Sequence, residues 1–429
     1  MRSTKFLKSI LALSMAFTIG MTGCGGSAEN PSSSSEQSEN GDLDGSAETD
    51  VQDAGDKDSD TVKKTDAEEK KGADTDASSE NAPVIPGLTY ESTMDLIYAE
   101  AFEVYYYSDD YALIDVKDSV QYLVVPEGKE APEGLDTNIV VLQKPLDRIY
   151  LAATSAMALF DAVDALDAIR MTGTQSSGWY IDHAVEAMEA GDILFAGKYS
   201  EPDYELLVEE DCDLAIESTM IYHSPKVKEM IEDLGIPVFV DRSSYENHPL
   251  GRTEWVKLYG VLVGKAEEAA AFFDEQAEVI NELKDFPNTE KSVVYFYVSS
   301  DGSVVVRRPE DYIPKMIEIA GGRYAFADLE TDTENKSVPL TMEEFYAKAV
   351  DADYLVYNAS IDAALTSVND LLAKSELFAD FKAVKEGNVW TTGKSLYQAT
   401  DIVGELITDL NLMLTGGNEE DMTFLTHIE

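Results

Sequence analysis

The chain has 429 residues, of which 83 are acidic and 32 are basic, and its formal net charge at pH 7 is −51. A surface with this much negative charge repels nucleic acids and anionic lipid headgroups, so the composition argues against a nucleic-acid-binding protein. The acidity suits either a partner that presents Arg or Lys at its docking surface or a simple need for solubility.

The N-terminus has the order of residues that is typical of a secretory signal. Three basic residues precede an apolar run over residues 9–21, and small residues follow before Cys24. The run of about 13 residues is shorter than the roughly 20 that span a bilayer, which leaves a short uncleaved anchor as the alternative. A cysteine directly after the cut resembles a bacterial lipoprotein signal, in which a diacylglycerol is joined to the thiol, although Met21 stands where leucine is usual. The sequence thus predicts a signal peptide over residues 1–23 and a protein anchored by lipid to the outer face of the cell membrane.

The next segment, residues 24–82, is rich in Ser, Glu, Asp, Gly, Ala and Lys and has no aromatic side chain. Such a segment cannot bury enough apolar surface to offset the entropy that is lost on ordering, so we predict a disordered acidic tether. As a flexible coil it would extend on the order of 40 Å, enough to lift a domain away from a lipid anchor. A segment that only adds solubility would have the same composition.

The remaining chain, residues 83–429, is too long for one compact core, and two lobes are the better expectation. It opens with three strand patterns, at 102–107, 112–116 and 121–125, which we predict to be antiparallel and to decorate the first lobe. Further short apolar strands are each followed by a helical pattern, and this alternation predicts parallel α/β layers. These strands lie at 149–153, 214–216 and 236–240 in the first half and at 293–298, 354–357 and 388–390 in the second.

A long helical pattern over residues 252–284 lies between the two halves, with apolar side chains at helical spacing. Gly260 and Gly264 each cost roughly 1 kcal/mol relative to Ala, so we expect a kink there. At 1.5 Å per residue the helix would reach about 45 Å, enough to bridge two lobes. The predicted domains are therefore an N-terminal lobe over residues 83–248, a linking helix over 249–286 and a C-terminal lobe over 287–429.

The sequence contains none of the common catalytic signatures: no Gly-x-Ser-x-Gly elbow, no His-Glu-x-x-His helix and no Gly-Lys-Ser phosphate loop. With Cys24 consumed by the lipid, Cys212 has no partner for a disulfide. Cys212 also lies beside a predicted buried strand, where a thiol is usually an inert core residue. We therefore predict a binding protein that is not an enzyme and that has no cofactor of its own.

The two halves echo each other, since each has a short helix with an exposed acid, then an Asp, then a buried strand, at 205–216 and at 343–356. With residues 249–255 (PLGRTEW) and 384–390 (VKEGNVW), these segments resemble the solute-binding lipoproteins of ABC importers that take up iron-siderophores, haem or cobalamin. The resemblance covers residues 88–416. It implies two Rossmann-like α/β lobes joined by a single long α-helix, with the ligand cleft between the lobes. It also implies a monomer that works with an ABC permease and its ATPase.

In that family one Glu on each lobe docks into Arg pockets of the permease. By position these residues would be Glu205 on the first lobe and Glu343, or its neighbour Glu344, on the second. Two carboxylates at a fixed separation would set the register for paired Arg residues, and charge-assisted contacts favour Arg. In a chain with 83 acids, ordinary solvated helix residues are the alternative interpretation.

In α/β lobes, residues that contact the ligand follow the carboxyl ends of the parallel strands. Trp179 and Tyr180, in a loop over residues 173–180, would either stack on a planar ligand or pack on their own lobe. Arg307 and Arg308 follow a second-lobe strand and would pair either with anionic ligand oxygens or with surface acids. The other candidates are Ser155, Lys198, Tyr199, Thr219, Tyr222 and His248 on the first lobe and Tyr312, Trp390 and Tyr397 on the second.

The only histidines are His183, His223, His248 and His427. Metal-binding members of the wider fold use several His residues with a carboxylate, but an isolated His is more often a hydrogen-bonded surface residue, so we predict no metal site. His248 is also a candidate for an axial haem ligand or a polar cleft contact. The predicted ligand is an iron-siderophore chelate, with haem, cobalamin or a metal ion as alternatives. A surface adhesin or sensor is the alternative function.

Overall fold

The computed structural model describes residues 82–283, 288–331, 335–361 and 365–429. The predicted signal peptide, Cys24 and the tether up to residue 81 lie outside the described residues. Within the described ranges, no helix combines the length and the apolar character that crossing a membrane requires.

A five-stranded sheet opens the described chain, and its strands are β1 (Tyr90–Thr93), β2 (Phe102–Tyr107), β3 (Tyr111–Val116), β4 (Gln121–Val125) and β5 (Ile139–Gln143). The order in space follows the chain, and every pair is antiparallel except β4 with β5. The three predicted antiparallel strands are confirmed as β2, β3 and β4. Both faces are buried, because Val104 and Ile114 join the main core while Tyr105 and Leu113 form a smaller cluster on the other face.

The first lobe is built on a parallel sheet whose spatial order is 12-11-6-7-8 in the strand numbering used here. Its strands are short, and most of their residues are buried, as expected for a sheet with helices on both faces. The elements in chain order are β6 (Ile149–Leu151), α1 (Met157–Asp161), β7 (Ile169–Thr172), α2 (Asp182–Ala190), β8 (Leu194–Phe195), the hairpin strands β9 (Gly197–Lys198) and β10 (Glu201–Pro202), α3 (Tyr204–Glu209), β11 (Leu214–Ser218), α4 (Pro225–Asp233) and β12 (Val238–Asp241).

The region predicted as one helix over residues 252–284 forms two helices, α5 (Pro249–Val263) and α6 (Ala266–Leu283). Gly264 adopts a left-handed conformation, with φ of 78°, and this ends α5. The second helix folds back along the first, since the Lys257 ammonium lies 4.3 Å from the centroid of the Phe273 ring. A Cβ atom at Gly260 would lie 2.7 Å from the Cβ of Ala269, so the hairpin requires glycine there. The prediction of a continuous rod of about 45 Å was therefore wrong.

The second lobe has a seven-stranded mixed sheet. The order is 16-14-13-17-18-19, and β15 pairs with one end of β13. The pairs β13–β15, β13–β17 and β17–β18 are parallel, whereas the pairs β13–β14, β14–β16 and β18–β19 are antiparallel. The elements are β13 (Ser292–Val298), β14 (Val304–Arg307), α7 (Tyr312–Ile319), β15 (Arg323–Tyr324), β16 (Ser337–Leu340), α8 (Met342–Ala349), β17 (Tyr354–Tyr357), α9 (Val368–Lys374), α10 (Lys382–Glu386), β18 (Val389–Thr392), α11 (Val403–Thr415) and β19 (Leu425–His427). The predicted architecture of two α/β lobes is thus confirmed.

Two buried carboxylates fasten the first sheet to α5. Glu254 accepts hydrogen bonds from the backbone N–H groups of residues 97, 98 and 99 at 2.8–3.1 Å, and from the Lys257 ammonium at 2.8 Å. Glu246 accepts from the N–H groups of residues 100 and 101 and from the Trp255 indole. These hydrogen bonds hold residues 97–101, which lead into β2. The first sheet and α5 therefore form one continuous support beneath the first lobe.

Candidate functional site

A cleft lies between the two lobes, and the empty space within it is about 1430 Å³ when the space that opens to solvent is included. Its first-lobe wall comes from the residues that follow β6, β7 and β11, and its second-lobe wall from β13, β14 and β17 and the residues after them. The carboxyl ends of parallel strands meet at one edge of a sheet, and this explains why residues far apart in sequence converge here.

Seven of the residues predicted from the sequence to bind ligand line this cleft. Ser155 follows β6, Thr219 follows β11, and the turn between β9 and β10 supplies Lys198 and Tyr199. The second lobe supplies the other three, which are Arg307, Tyr312 and Tyr397.

The other six predicted residues lie elsewhere. Tyr180 is partly exposed and makes an edge contact with Tyr397, with the ring centroids 6.5 Å apart, so it lies at the rim. Tyr222 is exposed in the segment before α4. The remaining four contact other parts of the fold: Trp179 is buried in the core, His248 stacks on Tyr98, Arg308 pairs with Glu310, and Trp390 stacks on His427.

His248 has a structural contact that its position in the sequence did not suggest. Its Nδ1 atom accepts a hydrogen bond from the N–H of Leu250 at 3.2 Å and so caps the start of α5. The ring lies against a second, smaller cavity beside α7 and not against the cleft. In the described part of the chain, no three His, Cys, Asp or Glu residues are arranged to hold a metal ion.

Several cleft residues were missed by the sequence reasoning. Tyr295 and Tyr297 were assigned only to a buried strand, although their alternation on β13 places both on the face toward the cleft. Arg252 was quoted as part of PLGRTEW but was interpreted only as a helix residue. Lys336 was missed because the antiparallel pairing of β14 with β16 was not predicted. The alternation of Tyr295 and Tyr297 was the one signal that could have been used.

The cleft is positively charged although the chain as a whole is strongly acidic. Four cationic side chains line it, Lys198, Arg252, Arg307 and Lys336, and two carboxylates, Asp241 and Asp311, so the formal charge of the lining is 4 − 2 = +2. The net charge of the whole chain is −51. An excess of cationic side chains in a cavity raises the local potential, so this cleft favours an anionic ligand.

Both carboxylates of the cleft are engaged with the protein. Asp241 accepts hydrogen bonds from the Tyr259 hydroxyl and from the N–H and hydroxyl of Ser243. Burial raises its pKa above the usual range. Asp311 caps α7 through the N–H of Ile313 at 2.9 Å. Its second oxygen, Oδ2, lies 3.9 Å from the guanidinium of Arg307, so this carboxylate offsets part of the charge of one cleft cation. The lining still keeps its excess of cationic side chains.

Five tyrosines also line the cleft, and burial raises the pKa values of three of them. Desolvation raises the pKa of Tyr295 far above its ordinary value, and it raises the pKa values of Tyr297 and Tyr397 as well. A neutral phenol both presents an aromatic face and donates a hydrogen bond to a ligand oxygen. The five are Tyr199, Tyr295, Tyr297, Tyr312 and Tyr397.

Two hydrogen-bonded contacts cross between the lobes beside the cleft. The buried amide of Gln398 accepts from the N–H of Tyr180 at 2.8 Å and donates to the carbonyl of Gly178 at 2.7 Å. On another side, the ammonium of Lys336 donates to the side-chain oxygen of Asn247 at 2.6 Å. Both contacts join residues of the second lobe to residues that precede α5.

The two predicted docking acids occupy equivalent positions. Glu205 is the second residue of α3, which Asp203 caps, and Glu343 is the second residue of α8, which Thr341 caps. Both glutamates are exposed. The neighbouring Glu344 completes a capping box with Thr341, so its carboxylate is already used within the helix.

Comparison with curated proteins finds two lipoproteins of Methanocaldococcus jannaschii, both described as uncharacterized. One is 28% identical over 295 residues, covering 66% of this chain and 69% of the relative. The other is 24% identical over 340 residues, covering 75% of this chain and 84% of the relative.

Solved structures with the same fold include a periplasmic binding protein of Veillonella parvula. It has a TM-score of 0.51 at 17% identity and covers 63% of this chain and 91% of that one. A periplasmic heme binding protein of Pseudomonas aeruginosa has a TM-score of 0.50 at 16% identity, covering 66% and 98%. An ABC-type Fe3+-hydroxamate transport system protein of Saccharomonospora viridis has a TM-score of 0.50 at 17% identity, covering 64% and 94%.

The family model described as periplasmic binding protein matches residues 149–396, which is more than half of the chain. The match begins at the first strand of the first lobe, so the five-stranded sheet that precedes it lies outside the matched region. It includes the segments that form both walls of the cleft. This chain belongs to the periplasmic binding protein family.

Proposed function

We propose that the protein is the extracytoplasmic solute receptor of an ABC importer and that it captures an anionic, bulky chelate of the iron-siderophore type. The observation that carries this proposal is the cationic cleft of an otherwise acidic protein. The lobes enclose it on two sides, and its four cationic side chains come from both lobes and from α5.

The lining and the open side of the cleft support a large ligand. The cleft is lined by residues of both lobes and is open to solvent on one side, so a ligand can contact both lobes while part of it stays outside. Five tyrosines offer aromatic faces and hydroxyl donors to an aromatic or oxygen-rich chelate. Haem, whose propionates are also anionic, would fit the same charges, and one solved relative is described as a heme binding protein. It is the second candidate ligand.

The proposed location is the outer face of the cell membrane, with the lipid on Cys24 as the anchor. The order of residues around Cys24 and the two archaeal lipoproteins support this location. The acidic tether would hold the two lobes away from the membrane surface.

The proposed partners are an ABC permease and its ATPase, with Glu205 and Glu343 as the docking acids. Their support is the equivalent, exposed position at the second residue of a capped helix on each lobe. Glu344 is a poorer candidate because its carboxylate is bound to Thr341. We also propose that the protein is a monomer and has no enzymatic activity.

The experiment that tests the ligand is a binding screen on the purified full-length chain. Intrinsic Trp fluorescence is titrated with ferric siderophores of different charge, haem, cobalamin and divalent metal ions. We expect saturable quenching by an anionic ferric chelate, and weaker binding at high salt because the contact is electrostatic. A preference for an uncharged chelate, or no response from a folded protein, would contradict the proposal. The latter result would favour a sensor or adhesin.

A further inference from the structure

Arg252 lies at the floor of the cleft, near the start of α5, where the chain passes from one lobe toward the other. Its side chain is almost entirely buried, with 7% of the residue exposed. Its burial distinguishes it from Lys198, which is exposed at the end of β9, in the wall of the cleft.

The guanidinium of Arg252 makes no hydrogen bond within the described part of the chain, and its Nε–H is fully buried without an acceptor. Arginine remains charged in proteins and has five N–H donors. Burying the Nε–H donor without an acceptor is costly, because it has lost its hydrogen bond to water. A cation held in this state needs an explanation in the function of the protein.

The groups nearest to Arg252 hold it in place without satisfying it. Its guanidinium carbon lies 4.3 Å from the centroid of the Tyr312 ring, so the planar group packs on a cleft residue of the second lobe. Asp241 is close enough for its pKa to be lowered by the arginine charge, although burial raises that pKa more. The oxygens of Asp241 are already bonded to Tyr259 and Ser243. The nearby negative charge therefore leaves the donors of Arg252 available.

We propose that Arg252 forms an oxyanion subsite at the floor of the cleft, which binds a carboxylate or similar planar oxyanion of the ligand. This proposal deepens the proposed function and rests on it for the identity of the cleft as the ligand site. A guanidinium recognises a carboxylate through two parallel hydrogen bonds, whereas an ammonium offers a point charge. The ring of Tyr312 packs against the guanidinium and so restricts the positions that the guanidinium can take.

The place of Arg252 gives the subsite a second consequence. The residue belongs to α5, it packs on Tyr312 of the second lobe, and it lies near Asp241 at the end of β12 in the first lobe. An oxyanion bound there contacts the part of the molecule where both lobes meet. The subsite thus orients the deepest part of the ligand, while Arg307 and Lys198 contact groups nearer the walls.

The test uses citrate as the probe, with the full-length chain titrated by calorimetry at constant ionic strength. The variants are Arg252→Met, which removes the charge, Arg252→Lys, which keeps the charge but not the fork, and Arg148→Met as a control with an exposed arginine outside the cleft. We expect Arg252→Met to weaken citrate binding at least about tenfold, as the loss of a charge-assisted hydrogen bond implies, and Arg252→Lys to fall in between. Arg148→Met should bind as the wild type does.

A second measurement separates a ligand subsite from a structural arginine. In chloride buffer without oxyanions, Arg252→Met should melt at the same temperature as the wild type or higher, because an unsatisfied buried charge has been removed. Unchanged citrate affinity in Arg252→Met, no saturable citrate binding by the wild type, or a large loss of melting temperature in Arg252→Met would each overturn the proposal. If citrate binding depends on Arg252 but the screen finds no chelate that binds, the subsite is supported and only the proposed chelate ligand is rejected.

Discussion

Two buried charges lie two residues apart on α5, and they differ in whether the fold supplies hydrogen-bond partners to the side chain. Glu254 is fully buried and accepts hydrogen bonds from three backbone N–H groups and from the Lys257 ammonium. Arg252 is almost as deeply buried and makes no hydrogen bond among the described residues. The first charge fastens the five-stranded sheet to the helix, and the second faces the cleft.

The difference shows how buried charge can be used for structure or for binding. A buried ion whose partners are all supplied by the fold holds those partners together, and removing it leaves several groups unpaired at once. A buried ion without partners lowers the stability of the fold and is tolerated where a bound ligand will supply the missing hydrogen bonds. Variants that change how many buried polar groups have a hydrogen-bond partner therefore test the comparison of Glu254 with Arg252 directly.

The largest effect on stability is expected for Glu254→Ala. The substitution leaves three backbone N–H groups without their acceptor and removes the buried counter-charge of the Lys257 ammonium, which keeps only the carbonyl of Asp95. The free energy of unfolding should therefore fall by about 3–5 kcal/mol. Urea denaturation followed by Trp fluorescence measures the loss. The control is Glu91→Ala, an exposed acid on β1, which should change stability by less than about 0.5 kcal/mol. Equal stabilities of the two variants would remove the distinction between the two kinds of buried charge.

A smaller effect, of opposite sign, is expected for Asp401→Asn. Burial raises the pKa of Asp401 to about 6, and no ion pair within the described chain compensates it. Since the folded state binds this proton more tightly than the unfolded state, Asp401 destabilises the protein progressively as the pH rises from about 4 to about 6. Asp401→Asn should therefore gain up to about 2–3 kcal/mol over the wild type between pH 4 and pH 8. A gain of the same size in Asp351→Asn, which changes an exposed acid, would show that burial is not the cause.

The smallest effect on stability is expected where acids are exposed. The double variant Glu205→Ala with Glu343→Ala should unfold within about 0.5 kcal/mol of the wild type and keep its ligand affinity, because neither carboxylate is buried. Uptake of the ligand by cells should nevertheless fall if these acids dock to the permease. Normal uptake, or a loss of ligand affinity, would reject the docking role, and Glu209→Ala with Glu386→Ala serves as the matched control.

The sequence predicted the two lobes well because their strands are short, apolar and separated by helical patterns. It failed at Gly264, since the cost of a glycine in a helix does not distinguish a kink from a full reversal of the chain. It also placed some aromatic residues in the cleft, such as Trp179 and Trp390, that are buried in the lobes. Residue type suggests a stacking surface, but only packing decides which side of a strand or loop an aromatic ring takes. Arg252 was not found because α5 buries its charged residues together with its apolar ones, so its pattern of residues does not show which side faces solvent.

The contact made by Gln398 has a consequence for the timing of transport. Its amide joins the lobes through two hydrogen bonds that do not involve a ligand. A receptor whose halves are already fastened on one side meets its ligand with little rearrangement left to make, so occupancy changes its outer shape only slightly. Any partner that must tell a loaded receptor from an empty one then has to sense small differences. In the proposed transport cycle, separating the lobes to release the ligand would then require work from the importer and its nucleotide cycle.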